Sequence, residues 1–358
     1  MKRPSATQLA VAAAVISWLI SFYIHHPLVE GSIYSDVASF WWREENLQRG
    51  EAPCIQYFFE YPPTACLMIY ASRLLGGASQ TGYYVVYSLL SLPAFIVLAV
   101  CLSRLAGLPG SFFILAPSMV VYGVYNFDHF FTAFLAAALL MQARGRWRAA
   151  AVLLGVSFSV KLFTVLLLPL LMLEAGGRRK AAATVLFFAV GALPTWVPVV
   201  LLNPGWLPEF IRFHSLWGLE NSWLVWLSND PFSQSAKLVA YLTALLLIIR
   251  AYTLTASFAA RGFLTLAGFL IGSPTFTPQM TLWLLPFTAA FTKLWIWLPL
   301  FESANVAIIF TWFLTDTPTL PWTPPQTMAL LRVTALAAMW ATVYRAPALA
   351  DFRKVNSS

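Results

Sequence analysis

Charge is what this sequence has least of. Only 10% of its 358 residues are Asp, Glu, Lys or Arg, against roughly 25% in soluble domains, so the chain cannot clothe a water-facing surface. Cysteine is scarce too. Cys54, Cys66 and Cys101 are too few for a disulfide framework; unpaired thiols are the expectation, with a Cys54–Cys66 bridge as the alternative. Histidine is rarer than its usefulness: His25 and His26 are adjacent, His129 adjoins Asp128, and His214 stands alone. No such spacing matches a helical metal pair, and no metal site is expected. Phosphate-cradling Gly-Lys-Ser/Thr loops, dinucleotide glycine patterns and Gly-x-Ser-x-Gly elbows are all missing, which leaves no motif for a soluble nucleotide or hydrolase site.

What is present is oil. Hydrophobic residues make up 59% of the chain, and apolar runs recur near 8–24, 81–103, 110–125, 128–142, 149–160, 162–173, 181–202, 236–250, 254–272, 280–292, 294–313 and 327–344. Runs of about 17–25 residues suffice to cross a hydrocarbon core, and helices must do it because the alternation of barrel strands is absent. The expectation is an all-α integral membrane protein of about 12 transmembrane helices, one polytopic domain over 1–358. The first run follows Lys2 and Arg3 but lacks a small-residue cleavage pattern, so it reads as a retained helix and not a signal peptide.

The net charge of +8 does not mean nucleic acid, because the charges are sorted by loop. With the N-terminus inside, the inner connections hold Lys2, Arg3, Arg104, Arg144, Arg146, Arg148, Arg178, Arg179, Lys180, Arg250, Lys293, Arg345, Arg353 and Lys354 against only Glu174 and Asp351. Most carboxylates fall on the other side. That is the positive-inside pattern, and its basic balance implies orientation and membrane lipids as partners. Both termini are expected in the cytoplasm, in a plasma membrane.

Two outer loops, about 25–80 and 203–235, exceed what a span-to-span link needs. Their Trp, Phe and Leu argue against disorder and for interfacial helices forming a cap over a site. The stretch "IYSDVASFWWREENLQRGEAPCIQYFFEYPP" holds five of the chain's fourteen acidic residues: Asp36, Glu44, Glu45, Glu51 and Glu60. In the membrane, "GVSFSVKLFTVLLLPLLML" places Lys161 between two runs too short to span. A lysine at such a break is a functional candidate, or else it snorkels to the interface or pairs with Glu302. The remaining polar marks are "YNFDHFF", "RFHSLWGLENSW" and "GSPTFTPQM". Gly268 and Gly272 form a small-xxx-small pair suited to close helix packing. A secondary transporter, with a broken-helix site around Lys161, is the alternative these features leave open.

In order along the chain, four segments resemble glycosyltransferases of the GT-C superfamily that use polyprenyl-phosphate sugars, most closely glycosyltransferase family 87. They are Tyr34-Ser35-Asp36 with Gly50-x-x-Pro53 and "FFEYPP"; "SVKLFTVLLLP"; "FIRFHSLWGLENSW"; and "SPTFTPQMTLWLLPF". The resemblance departs from the family pattern at Trp217, where Arg is expected, and at Asn221, where Glu is expected. It implies a GT-C-like bundle and an inverting transfer of a hexose, mannose first among them, from a polyprenyl-phosphate-linked donor to a glycolipid or glycan acceptor at the outer face. It also implies Asp36 as catalytic base; Lys161, His214 and Arg212 as donor-phosphate ligands; Glu60, Tyr61, Gln279 and Trp283 in the substrate pocket; and no cofactor.

Overall fold

The computed structural model describes residues 5–347. Lys2, Arg3, Asp351, Arg353 and Lys354, on which part of the orientation rests, lie outside the described residues. Within them the chain is helical, with two isolated β-bridges and no strand. It divides into two compact units, residues 5–115 with 119–215, and residues 116–118 with 216–347. The division falls inside the second long loop, because its first half packs through Trp206 and Phe210 on the first unit while Leu219, Leu224 and Val225 build a core with Ala236 and Ala240.

The first unit begins with α1 (Ala6–Ile24), opened by a capping box in which Gln8 N–H donates to Ser5 Oγ at 3.2 Å and Ser5 N–H to Gln8 Oε1 at 2.8 Å. The long loop that follows folds into α2 (Asp36–Arg43), α3 (Glu45–Gln48) and α4 (Pro63–Gly76). Pro63 starts α4 because a first-turn proline loses no helical hydrogen bond. α5 (Gln80–Gly110), the short α6 (Pro117–Tyr122), whose first two residues are counted with the second unit, α7 (Asp128–Ala143) and α8 (Trp147–Val160) come next. α8 stops at Lys161, whose backbone is extended at φ −150°, ψ 135°; a 3-10 turn over Leu162–Leu167 leads into α9 (Leu168–Glu174). The break read from the two short runs is there. α10 (Arg178–Leu202) and α11 (Trp206–Ser215) complete this part.

The second unit contains α12 (Gln234–Thr253), α13 (Phe258–Ile271), α14 (Leu285–Ala290), α15 (Leu298–Trp312) and α16 (Pro324–Arg345). Gly268 and Gly272 are where α13 meets α12: a methyl group on Gly268 would collide with Leu247, and one on Gly272 with the backbone of Ala244. Small residues permit this approach.

Among the described residues, helices α1, α5, α10, α12 and α16 are long and apolar enough to cross a membrane, and five more apolar helical segments, Leu162–Glu174 counted as one, have 10–17 residues. Leu186, Val190, Leu193, Val197 and Leu201 form an exposed stripe at helical spacing on α10, which only a lipid surround makes favourable. Two expected spans do not form. The run 110–125 breaks into Phe113–Leu115 and α6, and 280–292 into a 3-10 segment and α14. Hydropathy counts do not register Pro117 and Pro286, which open new helices and lack the backbone donor with which the preceding segment would have continued as one.

Candidate active site

Asp36 is the first residue of α2, and its place is set by its neighbours. Ser35 caps the helix, accepting from Ala38 N–H at 3.3 Å, while Val37 N–H donates to the Tyr125 carbonyl at 3.1 Å. The start of α2 is thus tied to the 122–127 turn. From that turn Asn126 Nδ2 donates to Asp36 Oδ2 at 2.6 Å and to the Tyr61 hydroxyl at 2.8 Å. Desolvation pushes the Asp36 carboxyl up to about 6, against the opposing effect of hydrogen bonds from Asn126 and Tyr34. Burial and the Asp36 charge raise the Tyr34 phenol to about 12, so it remains a donor.

The aromatic residues of the first loop have a task in this arrangement. Phe40 packs on Phe59 (5.1 Å between centroids), on Tyr61 (5.6 Å) and on Phe127 (6.1 Å), and Tyr61 meets Phe127 at 4.9 Å. This cluster fixes Tyr61 with its hydroxyl toward Asn126 and its ring toward Lys161, whose Nζ lies 5.6 Å from the ring centroid. The "FFEYPP" stretch is further anchored by Trp206 Nε1, which donates to the Phe59 carbonyl at 3.1 Å. A Cys54–Cys66 disulfide closes a loop around it, which corrects the expectation of unpaired thiols; a Cα–Cα separation of 6.0 Å suits the bond.

Lys161 pairs with Asp128, Nζ to Oδ2 at 2.8 Å, and both side chains are buried. It neither snorkels nor pairs with Glu302, which accepts from Ser118 N–H at 2.7 Å in the second unit. Glu60 accepts from Arg43 Nη2 at 2.9 Å. His214 is half-buried, its Nδ1 2.9 Å from the Phe210 carbonyl; burial holds its pKa below the ordinary value, with smaller contributions from Glu60 and Lys161 that place it within their electrostatic reach. Arg212 is exposed and bound to Glu209 through two hydrogen bonds of 2.9 and 2.5 Å.

The first unit therefore gathers Asp36, Glu60, Tyr61, Lys161 and His214. Gln279 and Trp283 belong to the second unit, buried in the 3-10 segment Pro278–Leu284. There the two remaining motifs meet: Glu220 N–H donates to the Pro274 carbonyl at 3.0 Å, Phe276 N–H to the Glu220 carbonyl at 2.9 Å, and Ser222 Oγ to the Ser273 carbonyl at 2.9 Å. Buried Arg332 clamps them, donating to Asn305 Oδ1 (2.8 Å) and to the carbonyls of Asn221 (2.8 Å) and Phe276 (2.5 Å). Asn126, Asp128 and Arg332 were not singled out as site or anchoring residues by sequence; the polar mark "YNFDHFF" was the signal for the first two. Among the described residues no group of three or more His, Cys, Asp or Glu side chains is arranged to hold a metal ion.

The profile of glycosyltransferase family 87 matches residues 58–273. No curated protein matches the chain. Two solved structures resemble it, both of ArnT from Cupriavidus metallidurans. The one bound to undecaprenyl phosphate has a TM-score of 0.49 and 16% identity over 97% of this chain and 74% of that one. The apo state has a TM-score of 0.43 and 15% identity over 96% and 77%.

Proposed function

This chain belongs to glycosyltransferase family 87, and on that premise we propose that it moves a hexose from a polyprenyl-phosphate-linked donor to an acceptor hydroxyl, with inversion at the anomeric carbon. Family membership displaces the transporter reading. The observation that carries the proposal is the arrangement about Tyr61: a carboxylate joined through Asn126 to its hydroxyl, and a buried ammonium facing its ring. A base and a cation are the two groups such a transfer requires of the protein.

In the proposed step Asp36 accepts the proton of the acceptor hydroxyl as its oxygen bonds to the anomeric carbon. The bond from that carbon to the donor phosphate breaks, and its electron pair leaves on the phosphate oxygen. Lys161, with His214 near it, stabilises the charge growing there; preorganised groups of this kind contribute several kcal/mol. With a pKa of about 6, Asp36 is ionised at neutral pH yet basic enough to take the proton. Glu60 and Tyr61 are proposed to contact the sugar, and Gln279 and Trp283 of the second unit are proposed as substrate-binding residues. Arg212, engaged by Glu209, is the weakest of the proposed phosphate ligands.

The isoprenoid tail suits a chain whose helices expose apolar stripes. The site is proposed to face outward from a plasma membrane, with cytoplasmic termini. The charge sorting supports this, and so does the Cys54–Cys66 disulfide, since such bonds persist in oxidising compartments. Mannose is proposed as the sugar, a glycolipid or glycan as the acceptor, and no metal or cofactor as a requirement. The test is transfer by the purified chain in nanodiscs from synthetic polyprenyl-phosphate-mannose, with the glucose and arabinose analogues beside it, to a panel of glycolipids. Inverted mannosyl product, unaffected by EDTA, is expected. Transfer of another sugar overturns the mannose assignment, and transfer from a nucleotide sugar overturns the donor class.

A further inference from the structure

Asn126 carries no charge and takes no part in the bond-making step, yet it is fully buried and held at every polar atom of its side chain. Its Oδ1 accepts from Phe127 N–H at 2.6 Å. That backbone donor identifies which end of the amide is oxygen, so the amino end must be the one that meets Asp36 and Tyr61. The residue's own carbonyl accepts from the Tyr87 hydroxyl at 3.0 Å, and on the turn before it the carbonyls of Val124 and Tyr125 accept from Ser35 Oγ at 3.4 and 3.3 Å. Amide, carboxylate and phenol are therefore fastened to one another through a rigid turn.

We propose that Asn126 is a positioning residue: its amide locks the Asp36 carboxylate beside the Tyr61 hydroxyl in the geometry that transfer uses. This rests on reading Asp36 as the base. Donors to a carboxylate favour its charged form, so the amide also opposes the burial that would otherwise neutralise Asp36. The other groups facing the carboxylate do this less well. Tyr34, in the segment before α2, donates to it, but as a neutral phenol also engaged with Ser39 at 3.0 Å. Arg43, at the far end of α2, is taken by Glu60. Glu60 itself, from the 58–63 segment, repels it, and Tyr61 from the same segment shares the Asn126 amide.

The test compares full-length wild type, Asn126→Ala and Asn126→Asp in nanodiscs by two readouts. One is the pH profile of transfer. The other is the pH dependence of carbodiimide labelling at Asp36, followed by mass spectrometry, which reads protonation without needing turnover. For Asn126→Ala the acid limb and the labelling midpoint should both move up by about one pH unit, so that activity falls about fivefold at pH 6 and is almost unchanged at pH 9. Asn126→Asp keeps an acceptor for Phe127 N–H, sets a like charge against Asp36, and should shift both further; it also serves if the alanine variant does not fold. An equal loss at every pH with an unmoved labelling midpoint overturns the proposal. A shifted midpoint in a chain that transfers no sugar supports the hold of Asn126 on Asp36 while counting against the transferase reading.

Discussion

Lys161 Nζ lies 2.8 Å from Asp128 Oδ2, with 8% and 0% of the two side chains exposed. The lysine ends α8 and the aspartate begins α7, so the ion pair ties the break in one apolar helix to the start of its neighbour. Near Tyr61, that pair holds a buried ammonium without leaving an uncompensated charge, as the proposed phosphate role of Lys161 requires.

Removing one partner of a buried pair costs about 3–5 kcal/mol, because the other charge is stranded. Asp128→Leu should therefore lower the melting temperature in detergent markedly, whereas Asp128→Leu combined with Lys161→Met should recover most of it. Neither variant should use the lipid-linked donor well. In Lys161→Met the loss should appear in donor saturation more than in acceptor saturation; equal losses on both sides would contradict a phosphate role.

As the proposed base, Asp36 is expected to set a pH dependence of both rate and stability. Activity should rise through pH 6 as the carboxylate ionises. Its pKa is raised from 3.8 to about 6 by burial, so between those values the native state binds the proton more tightly than the unfolded chain does. Stability consequently falls as pH rises through that window. Asp36→Asn, which cannot ionise, should melt above wild type at pH 7.5, with the gap closing toward pH 4. A constant gap across that range would show that the effect is not ionisation.

The Cys54–Cys66 bridge encloses the segment bearing Glu60 and Tyr61. A loop of this length contributes about 3 kcal/mol through the unfolded state. Reduction, or Cys54→Ser with Cys66→Ser, should lower the melting temperature and weaken substrate use. Under denaturing, non-reducing conditions an alkylating reagent should label Cys101 alone; labelling of all three cysteines would refute the bridge.

Much of this was legible in the sequence, and the failures have physical reasons. The break at Lys161 was written in two apolar runs too short to span, and the helices of the first outer loop in its length and its Trp, Phe and Leu. Asp128 was visible only as a neighbour of His129, because its partner stands 33 residues later on the next helix; an ion pair between helices leaves no local spacing. Asn126 is uncharged and isolated, and only the fold shows that its amide meets Asp36. Gln279 and Trp283 were placed by a motif, and motif order says nothing of which unit a residue joins. Arg332 lay unremarked in an apolar run, since nothing local told that two loop carbonyls and the Asn305 side chain of α15 would converge on it.

Arg332 should prove as sensitive as the site itself. Each hydrogen bond it makes involves a charged donor, worth about 1.5–3 kcal/mol, and three acceptors on Asn305, Asn221 and Phe276 depend on it. Arg332→Met is expected to reduce the yield of folded protein severely, read by size-exclusion chromatography. Arg332→Lys should be only partly better, because a point charge cannot span acceptors that a planar guanidinium reaches together. A wild-type elution profile for the methionine variant would contradict the clamp.

The most direct measurement is sugar transfer from a synthetic polyprenyl-phosphate sugar by wild type and by Asp36→Ala at pH 7.5, with folding of both checked by their melting curves. Transfer by the wild type, and a loss of at least about 100-fold in the folded variant, is the result predicted for a general base. Comparable turnover by the two would remove Asp36 from the chemistry and contradict the account.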